Sequence, residues 1–235
     1  MLSFGRVSGR RRRKPRAESG ARALRWAAWL ACALVPAALL AGEPPRYEIV
    51  PDPAAAGSAR IDGQVWVAEN DLYVARVALL EDEARAKWLR DSAGVELDPF
   101  AAARQGSGPA FFTFLLSIER RGGGKLYFQP LACPATIPNG LLVNPLDLAT
   151  IEAAYAMANR VVPPAYEPAL RKVLLQDQMV LGEGARATGL LAYPARDLSA
   201  RTLRLEVRLT TQAGDPLSFQ IGFRRNKIKE ERPRP

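Results

Sequence analysis

The stretch TLRLEVRLTTQAGDPLSFQIGFRR, residues 202–225, decides the fold class. Leu203, Leu205, Val207 and Leu209 alternate with Arg204, Glu206, Arg208 and Thr210. A period of two with one apolar and one polar face marks a strand buried on one side, the antiparallel pattern. AGDP at 213–216 makes a turn, and Leu217, Phe219, Ile221 and Phe223 resume the apolar series. Two such strands joined by a short turn form a hairpin with one oily face. That face needs a second layer, most simply a second sheet.

Upstream the same signal recurs. PAFFTFLLSIERRGGGKLYFQPLAC (109–133) holds a strong β run at Phe111–Ile118, a turn at Arg120–Gly124, and a returning strand from Lys125 to Leu131. The expected pairing sets Phe112, Phe114 and Leu116 against Leu126 and Phe128 in a second hairpin. QVWVAENDLYVARVALL (64–80) fits two strands around Glu69–Asn70–Asp71, or one long bent strand. GEGARATGLLAYP (182–194) has a short apolar run, Leu190–Tyr193, closed by Pro194.

Three helices are expected. EDEARAKWLRD (81–91) places acids first and bases last, in keeping with the helix dipole. NPLDLATIEAAYAMANR (144–160) sets Leu148, Ile151, Ala154, Tyr155 and Ala158 at helical spacing, with Asp147 as a cap. A shorter helix follows from about Pro168 to Gln176. The sum is six to eight strands, mainly β, in an antiparallel sandwich at 63–225 with a helical insertion at about 145–176. Residues 43–62, rich in Pro and Ala, read as a linker with a short strand at Tyr47–Val50, and 226–235 as a charged tail.

The N-terminal segment, 1–42, reads as an address. A basic stretch precedes the uncharged run WAAWLACALVPAALLAG (26–42), which ends at Glu43, Pro44 and Pro45. Basic, apolar and small-residue regions in that order make a secretory signal, with cleavage expected after Ala41 or Gly42. Three rivals stand beside it: an uncleaved anchor using the same run, 26–42, lipidation at Cys32, and a twin-arginine route through Arg10–Arg13. Membrane contact then runs through residues 26–42, before cleavage or as an anchor. Of the net charge of +9, +8 resides here. Residues 1–42 hold nine basic residues and one acidic, which leaves 24 basic and 23 acidic residues in the body. The arginine run is thus explained by topology, and no nucleic-acid partner is expected.

Three passages together resemble uncharacterised families of bacterial secreted or envelope proteins with an Ig-like β-sandwich domain. FFTFLLSIERRGGGKLYFQPLAC is similar to their core hairpin, GEGARATGLLAYP to a strand start, and TLRLEVRLTTQAGDPLSFQIGFR to the closing hairpin. The resemblance spans about residues 63–225. It implies an Ig-like sandwich without catalytic residues. The Ala-rich helix at 145–160 departs from a minimal sandwich.

The chemistry is narrowed by composition. The sequence has no histidine, which removes Ser/His/Asp and Cys/His catalysis and His-ligated metals. With Cys32 in the leader, Cys133 is left without a disulfide partner, and its apolar surroundings favour a buried thiol. GEGARATG lacks the Lys-Ser/Thr of a phosphate loop. RRGGGK reads as a solvated hairpin tip. Asp91, Glu96 and Asp98 lack the glycine and bidentate acid of a Ca²⁺ loop. Ser107 and Ser117 have no evident base, and Trp66 and Trp88 read as core. Arg224, Arg225, Lys227 and Lys229 read as a solvated basic end. No catalytic, cofactor-binding or metal residue is assigned. The expectation is an exported, periplasmic or cell-envelope protein, non-enzymatic, in an accessory or assembly role, with another envelope protein as partner. Two alternatives stay open: a small-ligand or polysaccharide-binding module, marked by an exposed row of aromatics, and a hydrolase using paired carboxylates or a Ser-Lys pair.

Overall fold

The computed structural model describes residues 47–55, 57–101, 104–105, 108–109, 111–137, 140–157, 164–195 and 202–227. The leader reading for 1–42, Ser107 and Lys229 lie outside these residues.

The chain is mainly β and antiparallel. Its strands are β1 (Tyr47–Pro51), β2 (Arg60–Asp62), β3 (Val65–Glu69), β4 (Tyr73–Leu80), β5 (Arg104–Gln105), β6 (Gly108–Pro109), β7 (Phe111–Arg120), β8 (Leu126–Phe128), β9 (Ala135–Thr136), β10 (Leu142–Val143), β11 (Met179–Leu181), β12 (Arg186–Pro194), β13 (Thr202–Thr211) and β14 (Pro216–Lys227). Helix α1 spans Asp82–Asp91, α2 Leu148–Met157 and α3 Tyr166–Val173. One sheet has five strands in the order β12-β7-β4-β3-β2. The other has seven: β1-β14-β13-β8-β11, with β9 also on β13 and β10 on β9. Among the described strands, β5 and β6 pair only with each other.

The closing hairpin forms as its alternation requires. β13 and β14 pair with Leu209 opposite Leu217, Val207 opposite Phe219 and Leu205 opposite Ile221. Gly214, in the turn, takes a φ of 92° that an L side chain rarely adopts. The apolar residues meet those of the five-stranded sheet. Tyr73 stacks on Phe219 with centroids 5.9 Å apart, and Phe114 meets Phe223 at 5.2 Å. Trp66 donates its Nε1–H to the Gly222 carbonyl at 2.9 Å, tying β3 to β14. Residues 64–80 resolve into two strands. The Asn70 side-chain oxygen accepts from the Leu72 and Tyr73 amides and closes the turn.

Two expectations are corrected. β7 and β8 are not a hairpin. β7 is flanked along its length by β4 and β12, so both edges are filled, and β8 crosses to the other sheet to pair with β13 and β11. Phe114 and Leu116 therefore share a core with Leu126 and Phe128 across the layers, not along a ladder. The crossing is held by Arg120. Its side chain turns inward and donates to the carbonyls of Leu72, Gly123 and Gly124. Within the segment read as a linker, the short strand expected at Tyr47–Val50 forms as β1, and a second strand, β2, is added at Arg60–Asp62. β1 pairs with the end of β14 from Tyr47↔Lys227 to Pro51↔Phe223, and β2 borders β3. Asn226 and Lys227, read as tail, are the last residues of β14.

The helices build a second core on the outer face of the five-stranded sheet. Leu89 of α1, Ile151 and Tyr155 of α2, and Leu170 and Val173 of α3 pack with Phe111, Leu190 and Ala192. The α2 start is capped by Asp147, whose carboxylate accepts from the Thr150 amide at 2.8 Å. Two buried faces explain the unbroken Leu190–Tyr193 run. Leu191 and Tyr193 face the inter-sheet core, while Leu190 and Ala192 face the helices. The chain after α3 presses on β12 at Gly189. A Cβ there would stand 2.7 Å from the Val173 carbonyl oxygen and 2.8 Å from Leu175 Cγ. Gly189→Ala is expected to cost about 2 kcal/mol by overpacking, read as a lower urea midpoint at unchanged slope.

Candidate functional site

The residues singled out by sequence fall mostly into structural roles. Cys133 is buried, and burial pushes its thiol up to about 11. A protonated thiol is a poor nucleophile. Tyr193, itself raised well above its ordinary value by burial, donates its hydroxyl to the Cys133 carbonyl at 2.6 Å. Ser117 shares a hydrogen bond with Thr188 at 3.0 Å on an exposed face. Asp91, Glu96 and Asp98 do not converge. Asp91 pairs with Lys87 at 2.7 Å, and Asp98 turns inward to Arg85. Among the described residues no three acids or cysteines group as a metal site. Of the RRGGGK tip, Arg120 is buried and Arg121 lies 3.8 Å from Glu69. Trp66 is fully buried and Trp88 half-buried. Arg224 and Arg225 are exposed at the end of β14. The buried polar residues described are Arg85, Thr113 and Arg120, none of them a carboxylate.

The thiol gives a pH dependence with a definite sign. The folded chain holds the Cys133 proton to about 11, whereas the unfolded thiol ionises near 9. This contribution to stability is complete below about pH 9 and is lost as pH rises toward about 11. The loss is roughly 2–3 kcal/mol. Urea melts at pH 8, 9.5 and 10.5, compared with those of Cys133→Ala, are expected to show a steeper alkaline decline in the parent chain.

Two surface features remain. The first is a groove of about 340 Å³ on the outer face of the seven-stranded sheet. It takes Tyr127 from β8, Gln129 from the segment after it, Gln178 from the approach to β11, Thr210 from β13, and Ser218 from β14. Glu206 and Arg208, two apart on one face of β13, form an ion pair of 2.8 Å within it. That pair raises the Arg208 guanidinium above its ordinary value. The groove was not legible in the sequence, because outward polar residues of any strand look alike. The alternation marked Glu206 and Arg208 as outward and nothing more.

The second feature is the edge at β10. β9 and β10 form a small hairpin in register Thr136↔Leu142, joined to β13 beside Leu205. No described strand pairs the far side of β10. Leu141 and Leu142 are 51% and 58% exposed there, although Val143 beside them is buried. β11 also has no described strand on its far side, and its Val180 is 52% exposed. β2 carries Arg60 and Asp62 outward, and β1 ends in Pro51. The β12 edge is covered by hydrogen bonds from the Leu175 amide to Leu190 and from the Leu146 amide to Ala192, 2.9 and 2.7 Å.

No protein-family model matches this chain, and neither does any curated protein. Solved structures similar to it include an ApaA-like protein from Bordetella pertussis, 12% identical, covering 69% of this chain and 99% of its own, with a TM-score of 0.30. The structural-genomics target SoR45 is 8% identical, covering 74% of this chain and 99% of its own, also at 0.30. Likenesses this distant carry no argument about activity.

Proposed function

We propose that this chain is an exported envelope protein built on an Ig-like sandwich, acting by protein contact in an accessory role and not by catalysis. The observation that carries the reading is the β10 edge: adjacent leucines more than half exposed beside a strand border that no described strand covers. Such a border accepts an extended segment of a partner through main-chain hydrogen bonds, and the leucines add apolar contact. The leader composition of residues 1–42 supports export. The lack of histidine and the high Cys133 pKa are in keeping with a binding role.

A photo-crosslinking residue placed at Leu142 in the full chain, in cells, is expected to trap one discrete envelope partner. The same group at Gln220, on the outer face of β14, is expected not to. Leu141→Asp with Leu142→Asp is expected to abolish function in the cell while leaving the circular-dichroism spectrum unchanged. Identical adduct patterns at positions 142 and 220 would sink the reading.

A further inference from the structure

We infer that the groove on the outer face of the seven-stranded sheet binds a short, neutral, hydroxyl-rich saccharide of one or two rings. Beneath the groove, β8 is flanked by β13 and β11, and β13 pairs with β14 on one side and, at Leu209–Thr211, with β8 on the other. An occupant lying on this paired floor is read by side chains.

Those side chains are neutral, polar and uncommitted. The Tyr127 and Ser218 hydroxyls and the Gln129 and Gln178 amides make no hydrogen bond to another described residue. They supply both donors and acceptors, which a ligand with hydroxyls on every side can satisfy at once. Among the described lining residues the charges are Glu206 and Arg208, which cancel at 2.8 Å. An ionic ligand would have to break that pair, whereas a hydroxyl can bond to its outer oxygens and nitrogens. Apolar contact comes from the half-exposed Leu217, the exposed Pro216 and the ring of Tyr127, while Leu209 is 2% exposed. Tyr127 presents a ring on which the C–H face of a sugar can rest. The volume of about 340 Å³ lies at the small end of ligand sites and limits the occupant to one or two rings.

The test is calorimetric titration of the full chain, in a sugar-free zwitterionic detergent, with cellobiose, maltose and N,N′-diacetylchitobiose, and separately with tetra-alanine. At least one disaccharide is expected to bind saturably, with a Kd on the order of millimolar. Tyr127→Ala and Gln178→Ala are each expected to weaken it about tenfold. Thr188→Ala, on the other sheet, is expected to leave it unchanged. All three positions lie at the surface, and a circular-dichroism spectrum of each variant confirms folding, with Gln129→Ala as a replacement should one fail. No binding by any of the three disaccharides, binding indifferent to the groove variants, or binding of the peptide alone would overturn the inference. The photo-crosslinking result at Leu142 is independent of all these outcomes.

Discussion

Trp66→Ala is expected to lower the stability of the chain by about 4 kcal/mol, with a fall in Tm of about 10 °C. Trp66 is fully buried on β3 and is the largest side chain in the inter-sheet core. Its loss removes the most apolar volume that one substitution can remove there. It also removes the hydrogen bond to Gly222, which joins the two sheets. The two contributions separate in Trp66→Phe. A smaller aromatic ring stays, the donor goes, and the Gly222 carbonyl still accepts from the Asp52 amide at 2.8 Å. It is therefore not left unsatisfied, and the expected cost is only about 1–2 kcal/mol. Guanidinium melts followed by circular dichroism measure both. A Trp66→Ala cost below that of Trp66→Phe would mean that packing is not what this residue contributes.

The same core shows why some of the fold was legible and some was not. The β13–β14 hairpin could be read because everything that defines it lies in one continuous stretch: the period, the turn and the inward set. Helix α1 could be read for a like reason, its terminal charges being local. The pairing of β7 could not. Its partners are β4, which precedes it across α1, and β12, which follows it beyond α2 and α3. Nothing local says that both edges will be occupied. An apolar strand, three glycines and another apolar strand look like a hairpin whether or not an edge is free. Arg120 carried no sequence signal of burial either, since its partners are backbone carbonyls that any residues could supply. The groove is illegible for a related reason. Tyr127, Gln178, Arg208 and Ser218 converge only once β8, β11, β13 and β14 take their order. The β10 edge depends on β9 reaching β13, again a long-range fact.

Asp98→Ala is expected to cost about 3–4 kcal/mol, and Arg85→Leu made in the same chain is expected to return most of it. Arg85 is 2% exposed on α1, and its guanidinium meets Asp98 at 2.8 Å, Asp82 at 2.9 Å, the Thr113 hydroxyl at 3.4 Å and the face of Phe100. Asp98 in turn accepts from the Phe100 amide at 2.9 Å. One carboxylate thus fixes both the α1 arginine and the turn that delivers Phe100 to the helical core. Removing it leaves a buried cation with Asp82 as its one described carboxylate partner, which is half-exposed and screened by water. The desolvation of the guanidinium is then largely uncompensated. Replacing the arginine by leucine removes that charge, and the double variant loses only the turn contact and some packing. The decisive quantity is the coupling between the two substitutions in a double-mutant cycle. A coupling of about 2 kcal/mol or more is expected. Strict additivity would show that the pair is incidental and that α1 is held on the five-stranded sheet by Leu89 and its apolar neighbours alone.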